Sequence, residues 1–207
     1  MALFITFEGG EGSGKSIQAR LLYRKLRQLA IPVILTHEPG VTSLGKRINH
    51  LLKWTQYIDI SPVAELMMFN VSRAQLVKEV INEALIKGQT VICDRFYDST
   101  TAYQGYGRGL DIETVKRVNK IATGGLTPNL TIFLDVPPEE GFRRKVKDKP
   151  DRFETESLDF HRRVREGFLK LAEDEPSRWR VINGEQDREI IAGIVWKNVS
   201  ALIPAQD

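Results

Sequence analysis

A short apolar run followed at once by a glycine-rich loop is the feature that most constrains the fold of this chain. The run 3–7 is typical of a strand, and residues 9–16, GGEGSGKS, match the pattern G-x-x-x-x-G-K-[ST]. Glycines let backbone N–H groups point at phosphate oxygens, and a following helix adds a favourable dipole. A glycine turn with a surface lysine is the alternative, but the predicted strand and helix favour a nucleoside triphosphate site. The loop comprises Gly9, Gly10, Glu11, Gly12, Ser13, Gly14, Lys15 and Ser16, with Lys15 expected at the β- and γ-phosphates and Ser16 at Mg²⁺.

The length predicts a single domain, 1–207, and a charged run described below predicts a short lid at about 143–153. The 207 residues suffice for one core. The single cysteine, Cys93, lies in an apolar run, which excludes a disulfide framework and favours a reducing compartment. We find neither an apolar stretch of about 18 residues nor a signal-peptide pattern, so we predict a cytoplasmic protein without a membrane partner. The net charge of +3 is spread along the chain, which favours a polyanionic small molecule over nucleic acid.

Short apolar runs alternate with longer helical patterns, which predicts an α/β fold with a five-stranded parallel sheet flanked by helices. Ser61 and Pro62 form a helix start and Gly88 a helix end, so residues 62–87 are expected to form one long helix. We expect one face of it to be buried, through Val63, Leu66, Met67, Val77, Val80, Ile81 and Leu85. Strands are predicted at about 3–7, 32–36, 90–94, 130–136 and 179–183. The other helices are predicted at about 15–30, 43–53, 97–105, 111–123, 137–147, 157–174 and 187–202.

Two charged features add to the phosphate loop. Asp94 and Arg95 follow the third predicted strand, at the sheet edge where open α/β folds bind ligands. Asp94 can hold a magnesium-bound water and Arg95 can clamp a phosphate, although a strand-end ion pair is the structural alternative. The charged run 143–152 is either a solvated face or a lid whose cations close over a triphosphate.

Seven motifs occur in the order seen in thymidylate kinases and span essentially the whole chain. They are the glycine loop with Glu at its third position, His37–Gly40 (HEPG), Phe69–Arg73 (FNVSR), Asp94–Phe96 (DRF), Ser99–Gly105 (STTAYQG), Leu130–Asp135 (LTIFLD) and Asp151–Glu154 (DRFE). On these residues the chain resembles the thymidylate kinase family. The resemblance implies a P-loop NTPase fold of the nucleoside monophosphate kinase type. It also implies phosphoryl transfer from ATP to dTMP, a Mg²⁺ requirement and a homodimer in dTTP synthesis for DNA replication.

The resemblance also implies roles for individual residues. Phe69 would stack on thymine and Arg73 would donate to its O4 atom, with core packing and a surface salt bridge as the structural alternatives. Tyr103 would lie against the deoxyribose, or serve only in helix packing. Arg95 would clamp the dTMP phosphate, and Glu11 would face the sugar 3′-hydroxyl or orient Arg95. Further substrate-binding residues are Glu38, Pro39, Ser99, Thr100 and Gln104, while Lys15, Asp94, Arg95 and Arg152 are the predicted catalytic residues and Ser16 and Asp94 the metal-binding ones.

The source of the catalytic cation follows from one position in the loop. Eukaryotic members carry Arg where this chain has Gly12, so the chain resembles the bacterial type, in which the lid supplies cations. Arg152 is the first candidate, and Arg143, Arg144 and Lys147 are the others, with Arg143 and Arg144 expected to bind ATP.

Two places depart from the family pattern. His37 and Val41 stand where Arg and Gly are usual, and Asn49 stands where the family often has Arg. Lys46 and Arg47 are nearby and are expected to compensate.

Two other functions remain open at this point. One is a kinase for another monophosphate or for a deoxynucleoside, with a different base pocket. The other is a nucleotide-dependent switch ATPase, which needs a water-positioning residue that the sequence does not clearly provide.

Because a monophosphate oxygen is already ionised at neutral pH, transfer needs no general base, and we expect His37, His50 and His161 to be surface or structural residues.

Overall fold

A five-stranded parallel sheet forms the centre of the part of the chain that the computed structural model describes, residues 2–54, 58–145 and 150–203. The strand order is β2-β3-β1-β4-β5. The central strands β1, β3 and β4 consist almost entirely of buried residues, whereas each edge strand has two buried residues and three that are partly or fully exposed. The strands are β1 (Phe4–Glu8), β2 (Val33–His37), β3 (Thr90–Asp94), β4 (Leu130–Asp135) and β5 (Trp179–Asn183).

Helices cover both faces of this sheet. They are α1 (Lys15–Gln28), α2 (Ser43–Trp54), α3 (Pro62–Leu76), α4 (Asn82–Ile86), α5 (Tyr97–Thr100), α6 (Ile112–Thr123), α7 (Pro138–Arg144), α8 (Leu158–Asp174) and α9 (Arg188–Ser200). Two π-helical segments, Val77–Ile81 and Thr101–Gly107, continue α3 into α4 and extend α5. The predicted strands and helices are therefore confirmed to within a few residues, with 62–87 divided into three consecutive helical segments. None of the described helices is long and apolar enough to cross a membrane.

One prediction about the long helix is wrong. Leu66, Val77 and Ile81 are buried as expected, but Val63 and Met67 are 53% and 46% exposed. Val63, Met67 and Val71 recur every four residues and so share a second face of α3, which points away from the core. The helix thus carries two apolar faces, and a count of its apolar residues does not tell which one packs inward.

The carboxyl ends of the central strands bring the predicted site residues to one edge of the sheet. β1 leads directly into the glycine loop and α1, and β3 ends at Asp94, which pairs in register with Phe7 of β1 and His37 of β2. Because all five strands in the described residues are parallel, these chain segments meet at the same edge.

The glycine loop packs backbone to backbone against α7, just before the predicted lid. A Cβ atom on Gly12 would collide with the carbonyl of Gly141 in α7, and one on Gly141 would collide with the carbonyl of Glu11. Gly12 also has a φ of 67°, in the left-handed region that glycine adopts at little cost. This contact leaves no room here for the arginine that eukaryotic members carry at this position.

Candidate active site

Lys15 lies buried at the centre of the phosphate loop. Its Nζ donates to the carbonyl oxygen of Gly10 at 3.0 Å. Burial, reinforced by the nearby Arg95, lowers the pKa of Lys15 to about 8, although Glu11 and Asp94 act in the opposite direction. The next residue, Ser16, donates its hydroxyl to Oδ2 of Asp94, whose Oδ1 is buried and has no hydrogen-bond partner among the described residues. The loop therefore presents a cation beside a hydroxyl–carboxylate pair.

A cavity of about 350 Å³ adjoins this loop and is called here the acceptor cavity. Lys15, Ser16 and Asp94 form its end nearest the loop. The structure brings together all of the predicted substrate-binding residues in its walls, namely Glu11, Glu38, Pro39, Phe69, Arg73, Arg95, Ser99, Thr100, Tyr103 and Gln104.

Arg95 is held firmly at the wall of the acceptor cavity. It donates to Glu11 at 2.9 Å, to Ser99 at 3.0 Å and to the Tyr103 hydroxyl at 3.3 Å. Burial favours neutral Glu11, but Lys15 and Arg95 outweigh it and hold the pKa of Glu11 well below its usual range. Arg95 itself has a φ of 69°, which is uncommon for a residue with a side chain. The strand-end ion pair considered above thus does form, with Glu11, and it orients the guanidinium.

Glu8 binds Ser99, which is itself a partner of Arg95, and it was missed by the sequence analysis. Its carboxyl group accepts from the Phe96 N–H at 2.8 Å and from the Ser99 hydroxyl at 2.5 Å. Burial, with a smaller contribution from Asp98, raises the pKa of Glu8 to about 8. A carboxylic residue at the end of an otherwise apolar strand, directly before the loop, was the available signal.

Arg73 is fully buried, so the surface salt bridge considered for it is excluded. It donates to Glu38 at 3.0 Å, Asn70 at 3.1 Å, Asn119 at 2.9 Å and Thr100 at 2.7 Å. Four of its five N–H groups therefore donate hydrogen bonds within the protein, and Nη2 also lies 2.9 Å from the second carboxylate oxygen of Glu38. At most one is left for a base carbonyl, so the main contribution of Arg73 in this geometry is to hold Glu38 and Thr100 in the cavity wall.

Aromatic rings form another wall of the acceptor cavity. The ring centroid of Phe69 lies 5.7 Å from that of Phe153, and Tyr103 lies 6.1 Å from Phe153 in an edge-to-face arrangement. Phe69 is only partly buried and lines the cavity, so one part of the ring packs and another remains accessible. Such a wall suits a flat heterocycle.

A larger, open groove of about 1,090 Å³ runs along the other side of the phosphate loop and is called here the donor groove. Residues 11–18 form its floor, and Arg144 and Lys145 from the lid side form one wall. Arg144 donates to the carbonyl of Gly184 at 2.7 Å, and Lys145 contacts Glu11 at 3.0 Å. Lys145 also pairs with Glu154. Lys145 was not among the predicted lid cations.

The structure does not bring Arg152, the first candidate for the catalytic cation, to either cavity. Its Nε donates to the carbonyl of Leu52 at 2.9 Å and its Nη2 pairs with Glu65. Glu65 is fully buried and needs cationic partners, of which Arg152 and Arg108 are two. Arg143 pairs with Glu140 in solvent and lines neither cavity. Lys147 lies outside the described residues.

The departures at 37 and 49 fall at the acceptor cavity, as their positions in the motifs suggest. His37 and Asn49 both line it. Lys46 and Arg47, which were expected to compensate, are exposed and line neither cavity. Lys53, one helical turn after Asn49, does line both.

Two of the histidines have different surroundings: His37 is exposed and lines the acceptor cavity, whereas His161 is packed inside the protein. His161 is buried, its Nε2 lies 3.1 Å from the Phe153 carbonyl, and burial lowers its pKa. It is structural, as predicted.

Comparison with known proteins decides the family. Residues 7–192 match the family model described as thymidylate kinase. The chain belongs to the thymidylate kinase family. It is 51% identical over 203 residues to a thymidylate kinase of Dehalococcoides mccartyi (strain ATCC BAA-2266 / KCTC 15142 / 195), with 98% of both chains covered. It is 48% identical over 203 residues to one of Synechococcus sp. (strain JA-2-3B'a(2-13)), covering 98% of this chain and 96% of that relative.

A solved structure agrees with this family assignment. The crystal structure of thymidylate kinase from Ehrlichia chaffeensis aligns with a TM-score of 0.79 at 32% sequence identity, covering 96% of this chain and 98% of that one. The predicted enzyme class, a nucleoside monophosphate kinase with a P-loop fold, is thereby confirmed.

Proposed function

We infer that this member of the thymidylate kinase family transfers the γ-phosphoryl group of ATP to dTMP, giving dTDP and ADP for dTTP synthesis and DNA replication. The observation that carries the inference is the arrangement of two cavities on either side of one phosphate loop. The acceptor cavity combines an aromatic wall with the fixed guanidinium of Arg95, which suits a nucleoside monophosphate. The donor groove follows the loop that suits a triphosphate.

On the acceptor side, Arg95 clamps the dTMP phosphate, with Glu11, Ser99 and Tyr103 holding its guanidinium in place. Phe69 stacks on the base, and Tyr103 lies against the sugar. Because the clamp is bonded before the substrate arrives, little side-chain ordering remains to be done on binding.

In the transfer step, an ionised oxygen of the dTMP phosphate forms a bond to the γ-phosphorus. The bond from that phosphorus to the β–γ bridging oxygen breaks, and its electron pair stays on ADP. No proton has to move. Lys15 and Arg95 neutralise charge from within the cavity, and Arg144 and Lys145 do so from the lid side of the donor groove.

Ser16 and Asp94 fit a magnesium ion. They offer oxygen atoms at the end of the loop, and within the described part of the chain the buried Asp94 Oδ1 has no hydrogen-bond partner. Magnesium in phosphate sites takes one or two protein ligands or water bridges and completes its shell with phosphate and water. When bound, the ion neutralises charge on the β- and γ-phosphates.

We also propose a single kinase domain with a lid at about 143–153 and a cytoplasmic location. Residues 146–149 of this lid lie outside the described residues.

We further propose a homodimer, which is supported by the outer face of α3. Val63, Met67 and Val71 are exposed there at four-residue spacing, an apolar stripe that two copies can bury by two-fold packing. Met67→Glu should convert the dimer to monomer by sedimentation analysis, whereas a monomeric unmodified chain would refute the dimer.

A coupled assay with ATP and a panel of monophosphates tests the proposed function. We expect dTMP to give the highest kcat/KM, and Lys15→Ala, which removes charge stabilisation at the phosphates, to lower turnover by about two to four decades. Preference for another monophosphate, or for a deoxynucleoside, would assign the chain to a different acceptor. ATP hydrolysis without any acceptor would favour the switch ATPase.

A further inference from the structure

Five of the described residues line both the acceptor cavity and the donor groove. They are Glu11, Lys15, Ser16, Lys53 and Asp151. A phosphoryl group that moves from the donor to the acceptor crosses the boundary that these residues form. Of the five, Lys15 and Lys53 are the cations, and Lys15 belongs to the phosphate loop, so Lys53 is the one without a role.

Lys53 is held in the last turn of α2 by contacts on both sides. Leu52 is fully buried beside it. The backbone N–H of Arg152 donates to the Lys53 carbonyl at 3.2 Å, and the Arg152 side chain donates to the Leu52 carbonyl at 2.9 Å. The end of α2 is therefore fastened to the segment that contains Asp151, and the stem of Lys53 starts from a fixed point.

Asp151 directs the ammonium group of Lys53. Its Oδ1 accepts from the backbone N–H groups of Phe153 at 2.9 Å and Glu154 at 3.1 Å. With Oδ1 occupied, Oδ2 faces Lys53, and the two charged atoms are 3.2 Å apart. An ammonium has three N–H donors, so contact with one carboxylate oxygen leaves donors for another anion.

Two other cations near the boundary, Arg152 and Lys145, each have two partners within the protein. Arg152 is bonded to Leu52 and Glu65, and Lys145 to Glu11 and Glu154. Lys53 has one carboxylate partner in the described residues, and its side chain is 34% exposed. A partly exposed ion pair of this kind contributes little to stability, so the ammonium can turn toward a phosphate at small cost. Asn49, the preceding residue of α2 on the same cavity, is neutral and cannot take this role.

We propose that Lys53 contacts the phosphoryl group during transfer, and that Asp151 is the positioning residue that holds its ammonium at the boundary between the two cavities. This inference rests on the proposed function and names the cation that acts there opposite Lys15. The attraction between the Lys53 ammonium and the phosphates is strongest when ATP and dTMP are both bound, because the negative charge then concentrates at the boundary.

Lys53→Met tests the proposal, since it keeps the apolar stem and removes the charge. We expect kcat to fall about a hundredfold while the separately measured dissociation constants of ATP and dTMP change less than about threefold, as for a contact made chiefly in the transition state. Lys53→Arg should retain activity within about tenfold of the unmodified chain because it restores the cation. Lys46→Met, on the exposed part of the same helix and outside both cavities, is the matched control and should leave kcat unchanged.

A second readout uses an adenosine–thymidine dinucleotide joined by five phosphates, which spans both cavities. Its affinity should fall more in Lys53→Met than that of either ATP or dTMP alone. Asp151→Asn should lower kcat without raising either KM, as expected for a positioning residue. The melting temperature of each variant, measured in parallel, distinguishes these effects from unfolding. Lys53→Gln provides a second neutral variant if Lys53→Met is unstable.

The proposal is overturned if Lys53→Met and Lys53→Gln, both folded, keep kcat within about threefold of the Lys46→Met control. It is also overturned if Lys53→Arg is as inactive as Lys53→Met, because charge would then not be the relevant property. Failure of the proposed function has a different signature, the absence of dTMP phosphorylation by the unmodified chain.

Discussion

The buried position of Lys15 makes ATP binding depend on pH in the alkaline range. Burial and the nearby Arg95 lower the pKa of Lys15 to about 8 in the ligand-free protein. Above that pH the side chain loses its proton and its attraction for the triphosphate. Since the phosphates favour the ammonium form, binding at higher pH must first return the proton, and we expect ATP affinity to fall as pH rises above about 8.

The size of this effect follows from the shift. The pKa of Lys15 is lowered from 10.5 to about 8, and each unit corresponds to about 1.4 kcal/mol. If bound ATP restores the ordinary pKa of Lys15, the free energy of ATP binding weakens by about 3 kcal/mol between about pH 8 and pH 10.5. The ATP affinity then falls about tenfold per pH unit, and by up to about 300-fold in all. For the folding stability of the ligand-free protein we expect the opposite trend. The unfolded chain holds the Lys15 proton up to a higher pH, so this group makes folding more favourable as pH rises through the same window.

Fluorescence titration with a labelled ATP from pH 7 to 9.5, at constant ionic strength and magnesium concentration, measures the slope. Lys15→Arg is the control, since a guanidinium stays charged throughout and should give a flat profile. A flat profile for the unmodified chain would show that Lys15 keeps its proton and that the burial argument fails. An equal decline in Lys15→Arg would place the titrating group elsewhere.

Three further substitutions test other parts of the site. Arg95→Ala should raise the KM for dTMP about 100-fold and that for ATP only slightly, because its charge-assisted bonds go to the acceptor. Phe69→Ala should weaken dTMP binding by about 1–3 kcal/mol, with Phe69→Tyr milder, as measured by calorimetry. Glu8→Gln should flatten the stability profile obtained by denaturant unfolding. Because the pKa of Glu8 is raised from 4.5 to about 8, its contribution is present below pH 4.5 and is lost as pH rises to about 8, so the variant should gain stability over the unmodified chain toward pH 8. The role proposed for Arg95 is contradicted if Arg95→Ala affects both substrates equally. The role proposed for Phe69 is contradicted if Phe69→Ala lowers the melting temperature but leaves the dTMP affinity normal. The raised pKa of Glu8 is contradicted if the stability profiles of Glu8→Gln and the unmodified chain run parallel.

Local patterns in the sequence were sufficient to predict the sheet and the edge of it at which the site lies. The apolar runs at Phe4–Glu8, Thr90–Asp94 and Leu130–Asp135 have the length of strands, and the longer amphipathic patterns that follow them indicate helices. Parallel strands place their carboxyl ends at one edge, so the residues after each strand meet there whatever the details of packing. Asp94 and Arg95 could be placed at the acceptor cavity for this reason, whereas its helix residues, such as Phe69 and Tyr103, were expected there from the resemblance to thymidylate kinases.

The destinations of the long charged side chains could not be predicted in this way. Arg152 lies in a motif that suggested a phosphate contact, but a buried carboxylate 87 residues away, Glu65, binds it instead. Lys53 shows no motif, and it reaches the boundary only because the end of α2 is fastened beside Asp151. Likewise, the periodicity of α3 indicated an apolar face but not that Val63 and Met67 lie on the outer one. A flexible cation has several reachable partners, and which one it binds depends on the burial of charges from distant parts of the chain, a quantity that exists only once the tertiary structure has formed.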